Sequence, residues 1–247
     1  MSVKKYIPNF ITLLNLLCGS IAVIFAVHNN FIAASAFVFL GIFFDFFDGL
    51  AARKLNVQSA LGVQLDSLAD MVTSGLVPGI VMYKLIAMSI NAPEVITQKE
   101  WNASFNFSDL HIAPLALIGL CITLASAYRL AKFNIDEDQQ SYFKGLPTPA
   151  NALLILSLPL IIEFQNSSFA TTLILNQWFL IAFTVLSCYL LNSNIKLFAL
   201  KFKDFSFANN KFRYLLIVST IVLLAFLHFL AIPIIIILYI ILSLIKK

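Results

Sequence analysis

Apolar residues come in long blocks along this chain, separated by short polar breaks. A bilayer crossing needs about twenty such residues. Segments of that kind occur at about 8–28, 31–52, 66–90, 110–132, 149–165, 171–192, 212–230 and 231–245, the fifth and eighth being short. The pattern predicts an all-α, polytopic transmembrane helical bundle of about eight spans. It divides into a six-span core over residues 1–192 and, over 193–247, a basic cytoplasmic connector with two C-terminal helices. No soluble domain fits between the spans, and no internal repeat is visible.

Composition strengthens this picture. The chain of 247 residues is 60% hydrophobic and only 11% charged, with a mean hydropathy of +0.92. Those values exclude an ordinary soluble domain. The net charge of +4 is no nucleic-acid signature, because the charges sit in short loops rather than on one face. Cys18, Cys121 and Cys188 fall in separate apolar runs without metal-ligand spacing, so they read as small core residues. The first apolar run follows Lys4 and Lys5, but it lacks a clear small-residue cleavage site and is kept as a helix.

Charge placement orients the bundle. With the N-terminus inside, alternate loops hold Arg53 and Lys54, then Lys132 and Lys144, then Lys196, Lys201, Lys203, Lys211 and Arg213, with Lys246 and Lys247 on the same side. The opposite loops hold His28, then Glu94, Lys99, Glu100 and Asp109, then Glu163. The excess of Lys and Arg on one side predicts both termini, and the acidic segment described next, on the cytoplasmic side.

That segment is DFFDGLAARKLNVQSALGVQLDSLAD, Asp45 to Asp70. It holds four of the twelve acidic residues, in or beside strongly apolar sequence. Asp45 and Asp48 are three apart, and Asp66 and Asp70 four apart, so on helices each pair shares a face. Two facing helices would aim four carboxylates into one volume. Like charges at membrane depth need a positive partner, and hard oxygen ligands suit Mg2+, Mn2+ or Ca2+. Gly49 and Gly62 would let a phosphate or a second backbone approach closely. Arg53 is a candidate for an anionic ligand. The set reads as a two-metal site for phosphate chemistry.

Asp45-x2-Asp48-Gly49-x2-Ala52-Arg53-x8-Gly62-x3-Asp66-x3-Asp70 resembles the complete signature of the CDP-alcohol phosphotransferases. The resemblance covers roughly residues 6–165. It implies a metal-dependent phosphotransferase using Mg2+ or Mn2+, with Asp45, Asp48, Asp66 and Asp70 around two ions. It also implies Asp70 as the base, with Gly49, Ala52, Arg53 and Gly62 on the nucleotide and diphosphate, and a homodimer in the bacterial cytoplasmic membrane.

Other stretches refine this. The opening IPNFITLLN sets Asn9, Thr12 and Asn15 as a polar stripe on the first helix. The stripe either starts the helix and bonds to its neighbours or, as PNxxT openings in the family imply, turns Asn9 and Thr12 toward the nucleotide. Pro78 and Gly79 predict a kink in the third span. Ser67 and Thr73 either line the site or bond to their own backbone. Gly145, Pro147 and Pro149 predict a stiff turn into the fifth helix. RLAKFN followed by FKGLPTPA resembles the phosphatidylserine synthase branch, with Lys132 where that branch commonly has arginine. This implies CDP-diacylglycerol as donor, L-serine as acceptor, and Arg129, Lys132 and Asn134 as serine contacts. Two rival readings are the same chemistry on glycerol 3-phosphate or inositol phosphate, and a cation transporter, which leaves Gly49, Ala52, Arg53 and Gly62 unexplained. Asn102 and Asn106 match the glycosylation pattern, and Trp101 reads as an interfacial anchor. His228, alone in an apolar span, reads as structural.

Overall fold

The computed structural model describes residues 3–91, 113–136, 142–165, 167–198 and 206–245. Trp101, Asn102, Asn106, Lys201, Lys203, Lys246 and Lys247 lie outside them. Helix α1 (Tyr6–Val27) turns back at Asn29, whose φ is +60°, into α2 (Phe31–Lys54), which Asn30 caps through the backbone N–H of Ala33. Helix α3 (Ala60–Asp70) is capped by Ser59 and continues through a π-helical turn, Met71–Leu76, into α4 (Val77–Ser89). A 3₁₀ turn at Pro114–Leu120 leads into α5 (Cys121–Ile135). There follow β1 (Tyr142–Lys144), α6 (Thr148–Phe164), α7 (Ser168–Ile174), α8 (Gln177–Asn192), β2 (Lys196–Phe198), α9 (Phe207–Leu227) and α10 (Ala231–Ile245).

Among the described residues, five helical segments are long and apolar enough to cross a membrane: Tyr6–Val27, Phe31–Lys54, Ala60–Ser89, Pro114–Ile135 and Asn210–Ile245. The pair α7 and α8, bent by 66°, makes a sixth if counted as one span. The chain is therefore an integral membrane protein. The eight expected spans are not reached by this measure. Helix α6 has only 17 residues, and the last apolar stretch is continuous in composition although it breaks at His228, where φ is +47°. Beyond that break α10 returns along α9, with Leu216 and Leu242 in one apolar cluster.

Lipid is as apolar as leucine, so these helices associate by close packing and by polar contacts between them. Small residues supply the first. Ala22 and Ala26 of α1 and Ala34 of α2 are fully buried together with Val38. A Cβ on Gly41 of α2 would come within 2.7 Å of Thr73 Cγ2 and 2.8 Å of Asn15 Oδ1. The second kind of contact lies at the same place. Thr73 Oγ1 donates to Asn15 Oδ1 at 2.8 Å. Outward faces are apolar, with Phe10, Leu17 and Ile24 each more than half exposed.

The irregularity expected at Pro78 lies one turn earlier. Proline has no N–H to return to the carbonyl of Ser74, and the helix absorbs this as the π-turn. Thr123 Oγ1 of α5 donates to the Gly75 carbonyl there, at 3.1 Å. The expected turn before α6 is present. Gly145 has φ +74°, and a Cβ there would lie 2.5 Å from the Leu191 carbonyl oxygen, so only glycine suits the position. The all-α reading has one small exception. β1 and β2 form a two-stranded antiparallel ribbon pairing Tyr142 with Phe198 and Lys144 with Lys196.

Candidate active site

Three carboxylates converge where α2 meets α3. One oxygen each from Asp45, Asp48 and Asp66 lies within 4.8 Å of the others. Two oxygens on one ion at bonds of about 2.1–2.5 Å can be no more than about 4–5 Å apart, so the spacing fits a shared cation. Among the described residues none of the three forms an ion pair with a basic side chain. An all-oxygen donor set suits a hard divalent ion. Asp70, one turn past Asp66, is not part of that triplet. It is 9% exposed, and Asn15 Nδ2 donates to its Oδ1 at 3.3 Å.

Helix α1 positions two carboxylates. Thr12 Oγ1 donates to Asp48 Oδ2 at 2.6 Å, with the Pro8 carbonyl as its other acceptor at 3.1 Å. The polar stripe therefore does more than start a helix: Thr12 orients Asp48 and Asn15 orients Asp70.

A cavity of about 320 Å³ adjoins the triplet, lined by Asn9, Thr12, Asp48, Gly49, Ala52, Arg53, Gly62 and Asp66, with Gln58 and Ser59. Every residue assigned to nucleotide and diphosphate from the sequence is thus at one cavity. A Cβ on Gly62 would crowd Ser59 Oγ at 3.2 Å and Asn9 Oδ1 at 3.3 Å, whereas one on Gly49 would meet only the Arg53 guanidinium, at 3.7 Å. Gly49 thereby keeps a lane open in front of Arg53. Ser59 was not singled out from sequence. Its signal was the cap itself, since its Oγ accepts from the Gly62 N–H at 3.0 Å.

The three predicted serine contacts divide. Arg129 and Lys132 line a second cleft with Phe133, Lys144, Leu191, Asn192 and Ser193. Asn134 is tied instead to Ser67, donating from Nδ2 to Ser67 Oγ at 2.9 Å. Ser67 and Thr73 therefore bond across helices rather than to their own. Lys144 and Asn192 join the cleft without having been picked out in sequence, because they are remote from Arg129 along the chain.

The family model described as CDP-alcohol phosphatidyltransferase matches residues 5–190. The chain is 35% identical over 154 residues to the CDP-diacylglycerol–serine O-phosphatidyltransferase of Bacillus subtilis, a match covering 62% of this chain and 75% of the relative. It is 32% identical over 157 residues to the protein of that name from Methanocaldococcus jannaschii, covering 63% and 62%. To the one from Mycobacterium bovis it is 29% identical over 182 residues, covering 70% and 56%.

Proposed function

Because the chain belongs to the CDP-alcohol phosphatidyltransferase family, we propose that it transfers the phosphatidyl group of CDP-diacylglycerol to the hydroxyl of L-serine. The serine oxygen forms a bond to the lipid-side phosphorus, the bond from that phosphorus to the oxygen of CMP breaks, and phosphatidylserine and CMP are the products. The observation that carries this reading is the carboxylate triplet opening onto a cavity with Arg53 at its wall. The names of the relatives support serine as acceptor.

Asp45, Asp48 and Asp66 would hold the divalent metal, Mg2+ or Mn2+ and two ions in all, with Asp70 completing the set. When bound, such ions offset the charge of the diphosphate and of the departing CMP. Arg53 grips diphosphate oxygens through its fork of donors. Gly49, Ala52 and Gly62 keep the wall low enough for the nucleotide, and Asn9 and Thr12 present polar atoms to it. Asp70 accepts the serine hydroxyl proton as the oxygen attacks. Its Asn15 contact keeps the carboxylate aimed while it does so. Arg129, Lys132 and Asn134 serve the acceptor, Asn134 by way of Ser67. The core over 1–192 carries the chemistry, and 193–247 is an appended pair of helices.

The direct assay is CMP release from CDP-diacylglycerol in detergent against a panel of alcohols. Serine is expected to drive release, with glycerol 3-phosphate and inositol phosphate near background. The second reading, a phosphate-bearing acceptor, draws on the three basic residues of the Arg129 cleft, and it wins if either phosphate outpaces serine.

The chain acts in the bacterial cytoplasmic membrane as a homodimer, with both termini and the site inside. Reporter fusions at each end and light scattering of the purified protein test this. An external terminus or a monomeric mass overturns the corresponding part.

A further inference from the structure

We infer that Asn192 binds the ammonium group of the acceptor, so that with Arg129 it selects an α-amino acid. The inference rests on the serine-transfer reading above and names a residue that reading does not use.

The second cleft is lined by Arg129, Lys132, Lys144, Asn192 and Ser193, with about 10 Å³ of room, enough for one group the size of a water or an ammonium. Three of these side chains are basic and none is acidic. Lys144 is already paired, its Nζ lying 2.6 Å from Asp136 Oδ2. Ser193 Oγ donates to the Leu190 carbonyl at 3.2 Å.

Two buried side-chain atoms of these lining residues have no hydrogen-bond partner, Arg129 Nε and Asn192 Oδ1. Such atoms are scarce in folded proteins and point to something the site is built to hold. Arg129 is 8% exposed, and its guanidinium lies within electrostatic range of the Asp70 carboxylate. Asn192 sits at the end of α8, where Nδ2 donates to the Ala125 carbonyl at 3.1 Å and to the Cys188 carbonyl at 3.4 Å. Two carbonyl partners fix which way the amide faces, so Oδ1 is the atom left over. Arg129 is one turn along α5 from Ala125, and the tether holds Asn192 on the cleft that Arg129 also lines.

An unpartnered cationic donor and an unpartnered neutral acceptor lining one cleft complement the carboxylate and the ammonium of one amino acid. A phosphate would satisfy the cations and offer nothing to the Asn192 carbonyl. Without that carbonyl, an ammonium in this cleft would meet mainly positive charge.

The test compares serine with 3-hydroxypropionate, which has the hydroxyl and carboxylate but no amine, as acceptors or as inhibitors of CMP release. For Asn192→Ala the KM for serine is expected to rise about tenfold or more, the loss expected for a hydrogen bond to a charged group. The preference for serine over 3-hydroxypropionate is expected to shrink by the same factor, because the amine-free analogue never used the contact. The KM for CDP-diacylglycerol and kcat at saturating serine should change by less than about threefold. A purely structural role would weaken both acceptors alike. Asn192→Ser, whose hydroxyl can still donate to the carbonyl of Cys188 four residues back, is expected to narrow the preference for serine in the same way, which keeps the test decisive if the alanine variant fails to fold. An unchanged preference in every variant that folds overturns the inference. If the unsubstituted chain shows no serine-dependent CMP release, the transfer reading fails first and the inference with it.

Discussion

Asp66→Asn is expected to lower turnover by about a thousandfold, the upper end of what one lost electrostatic contact costs at a reaction centre. The side chain keeps its size, so the packing of α3 against α1 should survive. What changes is charge. One of three oxygens now within 4.8 Å of its fellows becomes a neutral amide, and affinity for a divalent ion falls with it. Stability should move the opposite way. Without metal the three carboxylates repel one another in apolar surroundings, so in metal-free buffer Asp66→Asn should melt at a higher temperature than the unsubstituted chain. Saturating Mn2+ should reverse that order. A variant that keeps its turnover, or an order of melting temperatures that ignores metal, would contradict the metal-holding role of the triplet.

Stripping the protein with EDTA is expected to take CMP release to background, and adding back Mg2+ or Mn2+ to restore it. The same titration should raise the melting temperature. An ion at a hundred times its dissociation constant adds about 2.7 kcal/mol to a state that alone can bind it. The carboxylates come from two helices joined only by the short connector after Lys54, so the unfolded chain offers no comparable site. Thr12 and Asn15 already hold Asp48 and Asp70 from a third helix, which limits the reorganisation that binding requires. Full activity in EDTA together with an unmoved melting curve would remove metal from the account. Loss of activity without a shift would place the ion on the substrate rather than on the protein.

The carboxylate pairs were legible because helical spacing is a local property. Three and four residues apart put Asp45 with Asp48 and Asp66 with Asp70 whatever the rest of the chain does. Asn9, Thr12, Gly49, Ala52, Arg53 and Gly62 followed from the resemblance, and they meet at one cavity. What escaped depends on contacts between distant segments. The β1–β2 ribbon has three residues a side, too few to announce a strand, and it forms where the turn at Gly145 docks under the end of α8. Asn192 carries no motif; it matters only because α8 lies against α5, where Ala125 takes its amide. Pro78 did signal an irregular helix, but a missing donor acts on the turn before it. The break therefore fell at Met71–Leu76.

That wide turn amounts to a phase shift in a single rod. Each residue of an α-helix advances the azimuth by about 100°, so the slack in one loose turn lets the two halves choose their facing independently. The Asp66–Asp70 half can stay clocked to the carboxylate cluster and α1 while the Met82–Ile86 half seats against the apolar core. Restoring a uniform winding would set these two demands against each other.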